Sequence, residues 1–280
     1  MLKKIVSTSF TILISFFFLT NFLNAAPPEI TEIHCPETQG LRLSIKGEFK
    51  VSPKEAGPLL CKFRTCQRED FVETDGSVGL VSALRADPKE MKYYIGGVRD
   101  PKVTLEKGYE GIWRLRQTES DNRNYTPATL FTLSLEDKKI GYFAIGRNTA
   151  TQLIFFGSLL PEFQNKGIMT GALGYLIDVL LPAFRENPLT SVKSLEEHKE
   201  LLITMDNLNP LVSNIVSNSM PKFAAAHDVE IKHILVFPDA RPNGEHQFRI
   251  DLEALYSKRA SAAQAASALP SAASEVSLES

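Results

Sequence analysis

The sequence predicts an α/β (α+β) fold, a mixed and mostly antiparallel central sheet flanked by helices. Three observations carry this expectation. The runs "LRLSIKG" (41–47) and "ATLFTLSLEDKKIGYFAIG" alternate apolar with polar residues, the period of a half-buried strand. "QLIFFGSLL" (152–160) is continuously apolar at its centre, as a strand covered on both faces is. Directly behind it Met169, Ala172, Leu173, Leu176, Ile177, Leu180, Leu181 and Phe184 recur at helical spacing.

Taken in order, the chain starts with Lys3 and Lys4, an apolar stretch from Phe10 to Leu23, and the small residues Ala25 and Ala26. That is the pattern of a secretory signal peptide over 1–25, cleaved after Ala25, and it implies an exported or secreted protein. The alternative is an uncleaved tether that leaves the domain in the cytoplasm. Asn21 and Asn24 interrupt the apolar run, so no stable membrane span is expected in the mature chain. Residues 26–84 are read as an extension and the start of the domain, 85–256 as the main domain, and 257–280 as a disordered Ala/Ser-rich tail.

Within the domain, "DPKEMKYYIGG" (87–97) predicts a helix start with Pro88 in its first turn. "GYEGIWRLRQT" (108–118) predicts a strand, and "LEDKKIG" a hairpin turn. The helix after 160 carries Pro182, which weakens its last turn. "LLITM" (201–205) predicts a strand. Asn209 and Pro210 predict the cap and first position of a short helix. "EIKHILVF" and "HQFRIDLEAL" predict the closing strands.

Composition narrows function. The chain has 280 residues, 43% hydrophobic, with a formal net charge of -2. That suits a domain with a substantial core and no basic surface for nucleic acid. The three cysteines, Cys35, Cys61 and Cys66, lack a zinc-site repeat. In an exported chain Cys61 and Cys66 can pair. The histidines are scattered, so no nucleophile–histidine arrangement stands out, and no metal site is expected.

The informative stretch is "PEFQNKGIMTGAL" (161–173), a polar loop between the central strand and the apolar helix. A helix N-terminus offers unpaired amides and partial positive charge, which suit a phosphate. Gly167 permits close approach of the backbone. Gln164, Asn165 and Lys166 add donors, and Ile168, Met169 and Thr170 open the helix. The loop lacks the spacing of a Walker loop and the three glycines of a dinucleotide fingerprint.

Here the chain resembles the GNAT superfamily of N-acetyltransferases, whose Q/R-x-x-G-x-G/A loop binds the pyrophosphate of acetyl-CoA. Gln164-Asn165-Lys166-Gly167-Ile168-Met169 matches its first four positions, with Met at the last. "GIMTGAL" is most similar to the ribosomal-protein alanine N-acetyltransferase type, with Gly171 where a Glu is usual. "DPKEMKYYIGG", "KKIGYFAIG" and "NLNPLVSNIVSNSMPKF" resemble further segments of that type, so the likeness spans about 85–255.

The resemblance implies an acyl-CoA-dependent N-acetyltransferase with acetyl-CoA as co-substrate and an amine of a protein or small molecule as acceptor. It assigns thioester polarisation to the backbone around Leu159 and Leu160, and contact with the pantetheine arm to Asn209. Ser213 is the implied acid for the leaving thiolate, with Asn214 as its rival. Glu162, Glu119 and Asp206 are the candidate bases, and Glu162 is preferred. The missing carboxylate on "QLIFFGSLL" and the longer Asn–Ser spacing fit the alternative of a secreted, non-catalytic GNAT-fold binding module.

Overall fold

The computed structural model describes residues 26–35, 40–53, 57–92, 97–110, 129–149, 151–186, 198–239 and 243–267. The nine strands of its sheet are β1 (Glu29–Cys35), β2 (Gly40–Val51), β3 (Leu59–Thr65), β4 (Thr129–Leu135), β5 (Lys138–Thr149), β6 (Gln152–Leu159), β7 (Glu200–Asp206), β8 (Ile231–Val236) and β9 (Glu245–Asp251). Their spatial order is β1-β2-β3-β4-β5-β6-β7-β9-β8. Every neighbouring pair is antiparallel except β6 and β7, which run parallel. The expected fold class is therefore the one observed. The sheet also extends back through β1, β2 and β3.

Local sequence explains the connections. The β4–β5 hairpin turns at Glu136 and Asp137, with φ of 48° and 64°. Two consecutive left-handed residues make the turn whose twist matches that of its strands. The parallel β6–β7 pair needs a long crossover. Within that crossover helix α4 (Ile168–Glu186) lies on one face of the sheet. Three short helices, α1 (Leu80–Ala86), α2 (Pro88–Met91) and α3 (Pro101–Thr104), precede β4. Asp87 and Asp100 cap α2 and α3, and a proline follows each cap.

The two faces of the sheet are filled differently. Under α4, Phe63, Phe131, Phe143 and Tyr175 form a continuous aromatic cluster. Phe131 and Phe143 stack with centroids 4.7 Å apart, a pair worth ~0.5–1.5 kcal/mol beyond its buried area. Gly171 is explained here. A side chain at 171 would meet Val51 Cγ1 at 3.0 Å and the Phe49 ring at 3.2 Å, so the glycine lets α4 lie close on β2. The opposite face carries Cys66, Phe71, Val81, Leu84, Leu130, Tyr142 and Ala144. Cys61 belongs to the aromatic side and Cys66 to the other, and neither is in a disulfide. The Cys61–Cys66 pairing that export would permit is not formed: the two point into different cores. Burial pushes the Cys61 thiol up to about 11.

Three further expectations are revised, and that for Pro182 gains its geometry. Residues 108–110 close a wide helical turn, Leu105–Glu110, instead of opening a strand; 111–118 lie outside the described residues. Pro182 lies in the last stretch of its helix, where the sequence places it. The turn Leu176–Leu180 widens so that the Leu181 amide bonds to Leu176 O, five residues back, and the helix continues to Glu186. Pro182 has no amide to donate, and the wide turn ahead of it absorbs the mismatch. The helix after Asn209 starts at Val212, and α5 runs over 212–227 with a similar wide turn before Pro221. "DLEAL" and the first part of the expected tail form α6 (Leu252–Ser267).

Helix α6 is held by residues far away in the chain. Leu252 and Leu255 are buried, and Asp251 Oδ1 accepts from the Ala254 amide. Arg259 reaches Asp178 Oδ1 at 2.5 Å and donates to the carbonyls of Ile177 and His227. Residues 1–25 and 268–280 lie outside the described residues. Among the described residues α4 is the one helix long and apolar enough to cross a membrane, and 56% of that window is buried inside the protein.

Candidate functional site: the β6–β7 cleft

Strands β6 and β7 pair only from Gln152↔Glu200 to Phe155↔Ile203. Beyond that point they part. β6 continues to Leu159 on β5, and β7 continues to Asp206 on β9. The inner edges of the two strands therefore diverge into a cleft with unpaired backbone groups. The Leu160 amide donates to Ile140 O at 2.9 Å, toward β5. Because backbone groups alternate sides along a strand, the amides of Gly157 and Leu159 face the cleft. Of the two backbone positions named by the resemblance, the Leu159 amide faces the cleft and the Leu160 amide is turned away and engaged.

The loop after β6 ends at the first turn of α4. Gly167, the residue before the helix, has φ of 77°, and Asn165 has φ of 60°. The first bond of the helix runs from the Gly171 amide to Gly167 O at 2.8 Å. No hydrogen bond from the amides of Asn165, Lys166, Gly167, Ile168, Met169 or Thr170 is formed among the described residues. Nothing lies nearer than 3.8 Å to where a Gly167 side chain would start. The amides are therefore open, and the dipole of α4 adds positive potential.

The side chains of this loop divide by role. Ile168 is buried in the core. Met169 packs against the same core, and its Cε sits 2.5 Å from where a Gly157 side chain would begin, so that glycine admits the helix end onto β6. Lys166 is exposed, its Nζ 5.2 Å from the centre of the Phe163 ring. Gln164 departs from the expected role: its amide donates to Pro161 O. Its Nε2 donates to Leu159 O at 3.0 Å and to Glu90 Oε2 at 2.9 Å. It braces the loop against the end of β6.

Glu90, on α2, is the residue that sequence reasoning missed. Its Oε2 accepts from Gln164 Nε2 and from Ser158 Oγ at 3.3 Å. Ser158 lies on β6 past the last β6–β7 pair, so the carboxylate stands beside the cleft. Glu90 Oε1 accepts no hydrogen bond among the described residues. In the sequence Glu90 follows Asp87-Pro88-Lys89, where an acid in the first turn reads simply as a favourable helix start.

The other candidates make local contacts. Glu162 is exposed and pairs with Lys138 Nζ at 3.2 Å. Its own backbone amide and the Lys138 ammonium hold its carboxyl below the usual range, which makes it a poorer proton acceptor. Asp206 Oδ1 accepts from the Leu208 amide at 2.8 Å, and Asn209 Oδ1 from the Leu211 amide at 3.0 Å. Both shape the turn into α5. Ser213 and Asn214 are exposed on the first turn of α5; the Ser213 carbonyl accepts from Ser217 Oγ, and Asn214 Oδ1 accepts from Asn218 Nδ2. Glu119 lies outside the described residues.

No family model matches the chain, and no curated protein does. The chain resembles solved GNAT acetyltransferases. An acetyltransferase of the GNAT family from Bacillus anthracis shares 13% identity over 74% of this chain and 99% of its own, with a TM-score of 0.43. Mycobacterium smegmatis RimJ, solved with CoA-disulfide, shares 16% over 79% and 94%, TM-score 0.45. Spermidine N-acetyltransferase from Vibrio cholerae, solved with CoA and spermine, shares 15% over 70% and 98%, TM-score 0.43. At such values these are likenesses of arrangement only.

Proposed function

We propose that the chain is an acyl-CoA-dependent N-acetyltransferase that moves an acetyl group from acetyl-CoA to an amine of a protein or small molecule. The observation that carries this reading is the β6–β7 cleft with the open amides of 165–170 at one end and the Glu90 carboxylate at its side.

The residues fit the co-substrate by their chemistry. A diphosphate suits the amides at the start of α4, where no side chain competes. An amide-bearing pantetheine arm suits the unpaired edge of β6, as an added strand suits a sheet edge. The cleft-facing Leu159 amide is a donor for an oxygen gaining negative charge.

Glu90 is the base in this reading. An ammonium must lose a proton before its nitrogen attacks a carbonyl carbon, and Oε1 is free to accept it. Ser158 and Gln164 hold Oε2 and so fix the orientation of Oε1. The C–N bond forms as the C–S bond breaks, and the thiolate takes up a proton. Ser213 retains the proposed role of acid, and Asn209 that of a contact to the arm. Export through residues 1–25 belongs to the same proposal. Acyl-CoA is a cytosolic metabolite, so the secreted chain would act in the cytoplasm of a recipient cell.

Calorimetric titration of the chain with acetyl-CoA and CoA tests the reading. Saturable binding is expected, and Gly167→Val should weaken it about tenfold or more, because a branched residue is strained at φ of 77°. No binding at millimolar CoA would leave only the non-catalytic module.

A further inference from the structure

Arg85 stands beside this cleft and Arg99 is tied to it, neither with an acid partner among the described residues. Arg85, on α1, has its Cζ 6.0 Å from the centre of the Phe156 ring. Its Nε is buried and makes no hydrogen bond. Arg99 is half-buried, and its amide donates to Arg85 O at 2.9 Å, which ties the two segments together. Burial and then the Arg85 charge both push the Arg99 guanidinium below its usual range, so the two cations feel each other.

The carboxylates nearby are engaged elsewhere. Asp87 caps α2 through the Lys89 amide, and Asp100 caps α3 through the Lys102 amide. Asp70 is held by Arg64, Lys139 and the Gln67 amide. Glu90 is held by Ser158 and Gln164. Among the described residues neither Arg85 nor Arg99 forms an ion pair. The Tyr142 hydroxyl is wholly buried beside Cys66 and the two arginines, and the Arg85 side chain is the donor that faces it. Like charges that share a half-buried place are unfavourable unless an anion joins them.

The position says what that anion is attached to. Phe156 and Ser158 are two residues apart on β6, on the face that α1 covers. Side chains spaced so along a strand are about 7 Å apart. Arg85 stands at the first of these positions and the Glu90 carboxylate at the second. We propose that Arg85 and Arg99 bind an anionic group on the acceptor, so that the substrate is an amine carrying a carboxylate or phosphate a few bonds from its nitrogen. The inference rests on the acetyltransferase reading for its account of the amine, and it names the acceptor class for that site. The amine faces Glu90 Oε1 while the anion neutralises the guanidinium pair. Polycationic amines are disfavoured by the same two charges.

The test is equilibrium binding to the full chain, with and without saturating CoA, of 4-aminobutyrate against n-butylamine, and of O-phosphoethanolamine against ethanolamine. The anionic member of a pair should bind about 10- to 100-fold tighter, the worth of charge-assisted hydrogen bonds. The first pair reads carboxylate and the second phosphate. Arg85→Met and Arg99→Met should each erase the preference while CoA affinity and the unfolding midpoint stay put, and Arg85→Lys should restore part of it. Equal binding within both pairs overturns the proposal, as does a preference that survives in the Arg85→Met/Arg99→Met double variant. An intact, arginine-dependent preference in a chain that binds no CoA would sustain the anion site and remove the acetyltransferase reading.

Discussion

The two faces of the central sheet share the same strands and do different work. Along β6, Leu153, Phe155 and Leu159 enter the aromatic core under α4, while Phe156 and Ser158 look toward α1 and α2. The first face is sealed by apolar packing. The second holds Arg85, Glu90, Arg99, Ser158 and Tyr142 among its apolar residues. Under the proposed function, stability and chemistry are divided by the two-residue period of a strand, so neighbouring residues can be changed with opposite consequences.

The largest effect expected on the sealed face is from Phe143→Ala. Phe143 is 1% exposed and touches Phe63, Phe131 and Phe155. Its truncation should cost about 3–5 kcal/mol of stability, read from the chemical denaturation midpoint. A loss below about 1 kcal/mol would mean that the aromatic cluster is not the stabilising core. On the other face, Glu90→Gln should lower kcat about 10²- to 10⁴-fold, as removal of a general base does. CoA affinity and denaturation midpoint should hold. An unchanged kcat with a full pH profile would remove Glu90 from the mechanism.

A smaller, pH-dependent effect belongs to Asp70, which has no exposed surface. Burial alone would raise its pKa, but Arg64 and the Gln67 amide outweigh burial and hold the carboxyl below its usual range. A depressed native pKa stabilises the fold above the unfolded value. That contribution is lost as pH falls through the native one. Stability should therefore be level above about pH 4 and decline in more acidic solution. Asp70→Asn should remove this part of the acid slope, and a slope identical to wild type would show that another group controls it.

The course from β6 through the loop to α4 was legible because both elements announce themselves by period and the glycine sits where they meet. The hairpin at 136–137 was equally local. What escaped depends on distant partners. Glu90 gains meaning only when β6 brings Ser158 and Gln164 to it, 68 and 74 residues on. Arg85 and Arg99 have no motif, and their significance lies in the acids that other interactions occupy. The Ala/Ser-rich tail looked structureless because its own residues offer little. Its first part is a helix because Arg259 finds Asp178, 81 residues earlier. A likeness of spacing points to Ser213 and Asn209 but is silent on their local bonds, which serve a turn and a helix start.

The wide turn at Leu176–Leu180 has a consequence for the shape of α4. One surplus residue in a helix swings everything after it by about 100° around the axis. Tyr175, ahead of the turn, meets Phe49 and Phe63, whereas Arg185, behind it, lies over the Tyr256 ring of α6. The helix can thereby serve two neighbours that do not lie along one straight stripe, holding the sheet with its first half and clasping the C-terminal helix with its second.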